Sequence, residues 1–257
     1  MTFVDSTVLG IVEGISEFLP ISSTGHLILV SHLLHIEQSS FQKSFEIIIQ
    51  LGAIASVVVL YFKSFFNVEI LKKLFVAFLP TGIIGLLLYK IIKTYLIGNE
   101  MVVLWALLLG GVALIVFELL HKEKEDAAQS ITEVSYTQAA LIGLFQSLAI
   151  IPGVSRSAAS IVGGLLLGLK RSTIVEFSFL LAVPTMLAAT GLDLAKNASL
   201  FSMDQFGILT IGFVTSFVVA LVSIKFLLSY IRSHTFIPFG IYRIVIAILF
   251  FLFVVSR

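Results

Sequence analysis

Glu13 and Glu17 stand four residues apart among small and apolar neighbours, so on a helix they share one face. Two carboxylates on one face repel, and inside a bilayer each is costly and marks function by default. The pair makes chemical sense if it holds a hard divalent cation through oxygen, or if one member keeps a proton. A pair facing interfacial water is the bland alternative. Downstream, Pro20 breaks the segment and Ser22-Ser23-Thr24-Gly25-His26 opens a new apolar stretch. Serine at such a break caps the next helix, and the free N–H groups there attract an anion. His26, three residues after Ser23, suits a base or orienter for a hydroxyl nucleophile.

A second set follows the break at Pro152-Gly153, where Ser155-Arg156-Ser157 and then Ser160 occur. Arg156 is a permanently charged fork in an apolar segment, suited to bidentate phosphate recognition. Its structural alternative is an ion pair with Glu13 or Glu17. Ser22, Thr24, Ser155, Ser157 and Ser160, with free backbone N–H groups, are candidates to complete an oxyanion cradle. Gln146 adds a neutral polar group. Together the acidic pair, the Ser/His stretch and the Arg–Ser stretch suit phosphoryl chemistry on a membrane-embedded substrate. Glu46 with Gln50, and Arg243 after Tyr242, are secondary candidates for a central cavity. Glu118, Glu176, Asp193 and Lys225 lie near the ends of apolar runs, where they can snorkel.

The elements that must position these groups are membrane helices. Hydrophobic residues fill 58% of 257 positions and charged residues only 12%, with a mean hydropathy of +1.11. A soluble domain carries about a quarter charged residues. A net charge of +1 argues against a nucleic-acid partner, and the absence of cysteine excludes disulfides and thiolate metal sites. Asp5, Glu13 and Glu17 interrupt the first apolar stretch, so it reads as retained rather than as a cleaved signal. Six segments read as full spans: 43–62, 74–93, 101–120, 173–193, 207–231 and 236–255. Two others, 5–35 and 136–170, are apolar but broken at FLPISSTGH and IIPGVSRS. Irregular backbone at membrane depth survives only where protein or a wet cavity surrounds it, so both read as re-entrant helical hairpins.

The two hairpins open two halves, 1–121 and 136–257. Offset by 133, GIVEGISEFLPISS (from Gly10) lies over GLFQSLAIIPGVSR (from Gly143), and later TGIIGLLLYK (from Thr81) lies over TSFVVALVSIK (from Thr215). In this register Gln146 takes the place of Glu13. Three spans per half is an odd number, so the second half must be upside down. The expected fold is therefore an all-α polytopic membrane protein, an inverted-topology repeat of six transmembrane helices plus two re-entrant hairpins. Such repeats place a binding site at the midplane where the broken helices meet. Lys63, Lys72, Lys73, Lys122, Lys124, Lys170, Arg171 and Arg232 collect on one side. Lys43, Lys90, Lys93, Lys196 and Arg257 fall on the other. The excess puts the 121–135 linker inside and both termini outside.

The motifs EGISEFLPISSTGH (Glu13 to His26) and PGVSRSAAS (Pro152 to Ser160) resemble those of the undecaprenyl-diphosphatases linked to bacitracin resistance, and FEIIIQLGAI (Phe45 to Ile54) resembles that family's first full span. The likeness covers essentially the whole chain. It implies a multi-pass enzyme of the bacterial plasma membrane that hydrolyses undecaprenyl diphosphate to the monophosphate, with its site opening to the outer face. It also implies a divalent cation, Mg2+ or Ca2+. The expected partners are the lipid diphosphate and membrane lipid, and a homodimer is left open. Carried over by position, Glu13 and Glu17 are metal-binding or acid/base residues. Ser23 is then the nucleophile or a phosphate ligand, His26 the base or a rival nucleophile, and Arg156 the phosphate clamp. Where the family often has Gly-Ala-Thr after SRS, this chain has Ala158-Ala159-Ser160.

An inverted-repeat transporter or flippase for a lipid phosphate or small anion is the alternative, since the same residues suit a coupled binding site. A lipid phosphatase with a histidine nucleophile is a further one, disfavoured because its second histidine and spaced basic motif do not follow Arg156.

Overall fold

The computed structural model describes residues 1–36, 39–96, 99–123, 128, 130–197 and 205–255. Lys124 and Arg257, which enter the charge count, and part of the 121–135 linker lie outside the described residues.

The first hairpin is α1 (Phe3–Ser16) and α2 (Ser23–Leu33), and the second is α7 (Tyr136–Gln146) and α8 (Arg156–Leu166). Both begin with the same device. Thr2 accepts from the Asp5 N–H while the Asp5 carboxylate accepts from the Thr2 N–H. Ser135 and Gln138, 133 residues on, repeat that capping box. Both hairpins also break in the same way, at Pro20 and at Pro152-Gly153, and restart on a serine cap: Ser22 for α2 and Ser155 for α8. Gly153 has φ of +92°, a conformation glycine takes without strain. Ser22 holds φ of +74°, which costs a side-chain-bearing residue free energy and tends to occur at functional sites.

Between and after the hairpins run α3 (Ser40–Leu60), α4 (Val68–Leu87), the short α5 (Tyr89–Ile91) leading into a π turn, α6 (Glu100–Leu120), α9 (Arg171–Asn197), α10 (Phe206–Tyr230) and α11 (Ile237–Val255). Among the described residues, α4, α6, α10 and Arg171–Gly191 of α9 are long and apolar enough to cross a membrane. The apolar stretches Ser44–Leu60 and Ile237–Leu252 of α3 and α11 are shorter. α4 starts six residues before the expected span. Asn67 caps it, accepting from the Glu69 and Ile70 N–H groups, and a cap carries no hydropathy signal.

The halves interlock. α1 packs on α10 and, correspondingly, α7 packs on α4; α3 packs on α10 and α9 on α4; α3 meets α9, and α6 meets α11. Glycines allow the hairpin contacts: a Cβ at Gly10 would lie 2.8 Å from the Gly212 carbonyl oxygen, and one at Gly143 would collide with that of Ala77. The polarity is that of a protein solvated by lipid. Leu86, Leu87, Leu120 and Val222 point outward, more apolar surface than a monomer in water usually tolerates. Glu13, Gln146, Ser160 and Arg243 point in. Glu118 does not snorkel as expected. It is buried and pairs with Arg171, at the start of α9, at 2.7 Å.

Candidate active site

The two loop tips meet, and the groups singled out in the sequence divide into those that face a shared cavity and those that hold its walls. Ser23, the first residue of α2, donates from Oγ to Glu17 Oε2 at 2.6 Å. Arg156, the first residue of α8, reaches the other oxygen of the same carboxylate, with Nη2 at 3.1 Å and Nε at 3.3 Å from Glu17 Oε1. The ion pair considered as a structural alternative for Arg156 thus exists, with Glu17. Its remaining nitrogen Nη1 donates to the Ser178 carbonyl at 2.8 Å, which anchors the guanidinium to α9 and leaves the Nε/Nη2 edge turned toward the carboxylate. Glu17, Ser23 and Arg156 are all on the wall of a cavity of about 490 Å³, with Ser22, Thr24, Gln50, Gln146 and Ser155 among the other lining residues.

His26 is placed otherwise than as a base for Ser23. Its Nδ1 lies 2.7 Å from the Ser22 carbonyl oxygen. A carbonyl only accepts, so Nδ1 carries the proton and Nε2 accepts from the Tyr242 hydroxyl at 2.8 Å. The rings stack with centroids 5.4 Å apart. Both nitrogens are engaged, and the carboxylate that accepts from the Ser23 hydroxyl is that of Glu17. Ser157 and Ser160 also leave the expected cradle. Ser157 Oγ donates to the Leu19 carbonyl at 3.0 Å, tying one loop tip to the other, and Ser160 Oγ meets Ser178 Oγ at 2.7 Å. Ser155 remains on the cavity wall as the cap of α8.

Arg243 does not face the cavity. It is 1% exposed and fans across four carbonyls: Pro20 at 3.4 Å, Gly153 at 3.1 Å, Ala106 at 2.9 Å and Leu107 at 3.4 Å. Pro20 and Gly153 are 133 residues apart, the same point of each loop. Gly110 makes the space, since a Cβ there would run into the guanidinium. Glu46 accepts from Gln42 Nε2 at 3.1 Å and is not among the cavity-lining residues.

Thr81 and Thr185 were not anticipated. Both line the cavity, and their hydroxyls sit 3.2 and 3.1 Å from Gln146 Nε2. Each directly follows a proline inside a long helix, Pro80 in α4 and Pro184 in α9. Proline in a span frees a carbonyl that something polar must satisfy, so the paired Pro-Thr steps were a usable signal.

The model of a family described as "Bacitracin resistance protein BacA" matches residues 6–249. The chain belongs to that family. It is 56% identical over 252 residues to a protein named undecaprenyl-diphosphatase from Sulfurihydrogenibium sp. (strain YO3AOP1), covering 98% of this chain and 99% of the relative. Relatives of the same name from Aquifex aeolicus (strain VF5) and Wolinella succinogenes are 54% and 51% identical. They cover 98% and 97% of this chain, and 100% and 97% of themselves.

In this BacA-family chain the donor set suits a cation only in part. Glu13 is fully buried, and neither of its carboxylate oxygens has a hydrogen-bond partner among the described residues. A buried carboxylate without donors calls for a cation or a proton. Among the described residues no three His, Cys, Asp or Glu side chains cluster. A cation held by Glu13 and Glu17 would therefore draw its other oxygens from phosphate and water, the manner of Mg2+ beside phosphates. The residues fit on that condition.

Proposed function

We propose that this protein cleaves the phosphoanhydride bond of undecaprenyl diphosphate, releasing undecaprenyl phosphate and inorganic phosphate and so recycling a lipid carrier of cell-wall synthesis. The observation that carries the chemistry is the single carboxylate of Glu17, bonded through one oxygen to the Ser23 hydroxyl and through the other to the Arg156 fork. Family membership and the relatives' shared name support the substrate and favour hydrolysis over transport.

The incoming terminal phosphoryl group competes for the Nε/Nη2 edge of Arg156, whose Nη1 stays fixed on α9. Glu17 Oε1 is thereby freed from the guanidinium, while Oε2 stays on the Ser23 hydroxyl. Ser23 Oγ attacks phosphorus as its proton passes to Glu17. The bridging P–O bond breaks, and the lipid monophosphate departs with the proton that Glu17 returns to it. Glu17 then takes a proton from the water that cleaves the phosphoserine and returns it to the departing Ser23 Oγ, which releases inorganic phosphate and restores the starting carboxylate. Glu13, with Glu17, would hold a divalent cation that offsets diphosphate charge. Ser22, Thr24, Ser155 and Gln146 line the space for the phosphate oxygens.

The reading extends to position. The cavity rim at Leu86, Tyr89, Ala188 and Ala189 lies toward the C-terminal ends of α4 and α9, away from the basic residues Lys72, Lys73 and Arg171 at their starts. By the positive-inside rule this supports a site opening to the outer face of a plasma membrane.

Phosphate release from undecaprenyl diphosphate by purified protein in detergent tests the proposal. Wild type is expected to turn over with Mg2+ or Ca2+ and to stop with chelator, and Glu17→Ala and Arg156→Ala to lose about 100-fold or more. Absence of release from folded, monodisperse wild type would return the transporter to the front.

A further inference from the structure

The two halves use the same helices differently on their two flanks. On one flank, α3 and α10 are closed together. Ser216 Oγ of α10 donates to the Ile49 carbonyl of α3 at 2.7 Å. A Cβ at Gly212 would lie 2.6 Å from the Phe45 ring, and one at Gly52 would collide with the Phe213 carbonyl. This seam admits nothing between its backbones.

The corresponding flank pairs α4 with α9, and the register that lays Thr81 over Thr215 puts Gly82 where α10 has Ser216 and Gly85 where it has Val219. Gly82 has no hydroxyl with which to bond α9. Gly85 meets nothing closer than Ile150 Cδ1, 3.9 Å from a built Cβ, whereas Val219 is pressed against α1 at Gly14. Both glycines line the cavity, with Thr185, Met186, Ala188 and Ala189 of α9 opposite. Leu86, on its rim, is 71% exposed on a surface whose solvent is lipid. The cavity that holds Glu17, Ser23 and Arg156 is therefore polar at one end, apolar along its α4–α9 walls and open sideways.

We infer that the isoprenoid tail of the substrate leaves the headgroup site through this gap, across Gly82 and Gly85, and that these two glycines determine how long a tail is accepted. The inference rests on the diphosphatase reading. A fifty-five-carbon chain cannot fit within about 490 Å³, so most of it must lie in the bilayer. Among the described residues α4 and α9 share no direct side-chain hydrogen bond and are bridged at Thr81 and Thr185 through Gln146. The glycines leave room for a branched apolar chain beside the Phe78 ring, which lies 3.3 Å from a Cβ built at Gly82, where the other half spends Ser216 on α3 and Val219 on α1.

The test gives α4 the side chains of its counterpart: Gly82→Ser with Gly85→Val. Hydrolysis of undecaprenyl diphosphate is expected to fall in kcat/KM by about tenfold or more, since several methylenes lose their contact. A five-carbon prenyl diphosphate, contained within the cavity, is expected to lose severalfold less, so the ratio of the two kcat/KM values falls. Equal loss on both substrates, or no loss on either, overturns the gap as the tail's path. A wild type inactive on both substrates overturns the diphosphatase reading instead.

The chain has no cysteine, so Gly85→Cys is a unique probe that adds little bulk. Undecaprenyl phosphate is expected to slow its alkylation by a small maleimide severalfold, while inorganic phosphate does not. The lipid-facing control Val218→Cys on α10 should respond to neither. Protection by inorganic phosphate to the same degree, or by neither ligand, also overturns the inference.

Discussion

Glu13 is buried with neither carboxylate oxygen hydrogen-bonded among the described residues. A buried carboxylate without donors opposes folding until something positive reaches it. Its replacement by glutamine is expected to raise the melting temperature in detergent while abolishing hydrolysis, a stability–activity opposition common at active sites. Wild type should melt higher on addition of Mg2+ or Ca2+, because a ligand bound only to the folded state stabilises it, and Glu13→Gln should lose that response. A melting curve indifferent to cation in both proteins would remove the metal from the account. Ser23→Ala offers a second measurement. With the nucleophile gone but Arg156 intact, turnover should fall by about 100-fold or more, with product affinity kept within severalfold. Near-normal turnover would sink the serine mechanism.

At this scale the sequence was readable where residue types were costly. Glu13, Glu17, Ser23 and Arg156 stand out because charge and hydroxyls at a membrane break demand a reason. His26 and the serines after Arg156 were legible as present but not as to role. Spacing fixes which face of a helix a side chain leaves from, but not which carbonyl of another element it finds. Ser157 bonds to Leu19 and His26 to Tyr242, and neither partner is near in sequence.

At the scale of elements, the hairpins were read from Pro20 and Pro152-Gly153, and the structure places their breaks there. What fixes the distance between them was not legible. Arg243 satisfies the Pro20 and Gly153 carbonyls together, so it sets how far apart the tips carrying Ser23 and Arg156 sit. Only one side chain fits that central position, which is why α6 has Gly110 there. Arg243→Ala strands buried acceptors and should cost about 2–5 kcal/mol, read as a drop in melting temperature. Arg243→Lys keeps the charge but cannot span four carbonyls, so it should recover part of the stability and little of the turnover. Equal turnover for Arg243→Lys and wild type would show that tip spacing does not depend on the fork. The contact of Gly143 with Ala77 makes a simpler prediction. Gly143→Ala forces α7 off α4 and should destabilise by about 1–3 kcal/mol, whereas an alanine at Gly191, which has open space, should not.

The whole molecule reverses the polarity of a soluble protein, and composition alone made that plain. Its symmetry was visible in the register of the two halves and reappears in their paired capping boxes and exchanged contacts. The departures from symmetry were not visible, because each is a local trade: Gln146 for Glu13, Gly110 for Arg243, Gly82 for Ser216. In each case one copy performs a task that two copies would obstruct.

The interlock also bears on how the chain comes into being. Ser6, near the start of α1, donates to the Ile208 carbonyl 202 residues later, and Gly10 and Gly14 are packed against α10. A ribosome that has just finished α6 has delivered Glu13 and Glu17 to the membrane with α10, against which α1 packs, still unmade. Through that interval the first hairpin lacks its partner helix, while the second, whose partner α4 precedes it, can dock as soon as it emerges. Birth order thus divides two equivalent hairpins into an early one that waits and a late one that does not, and the one that waits carries the carboxylates.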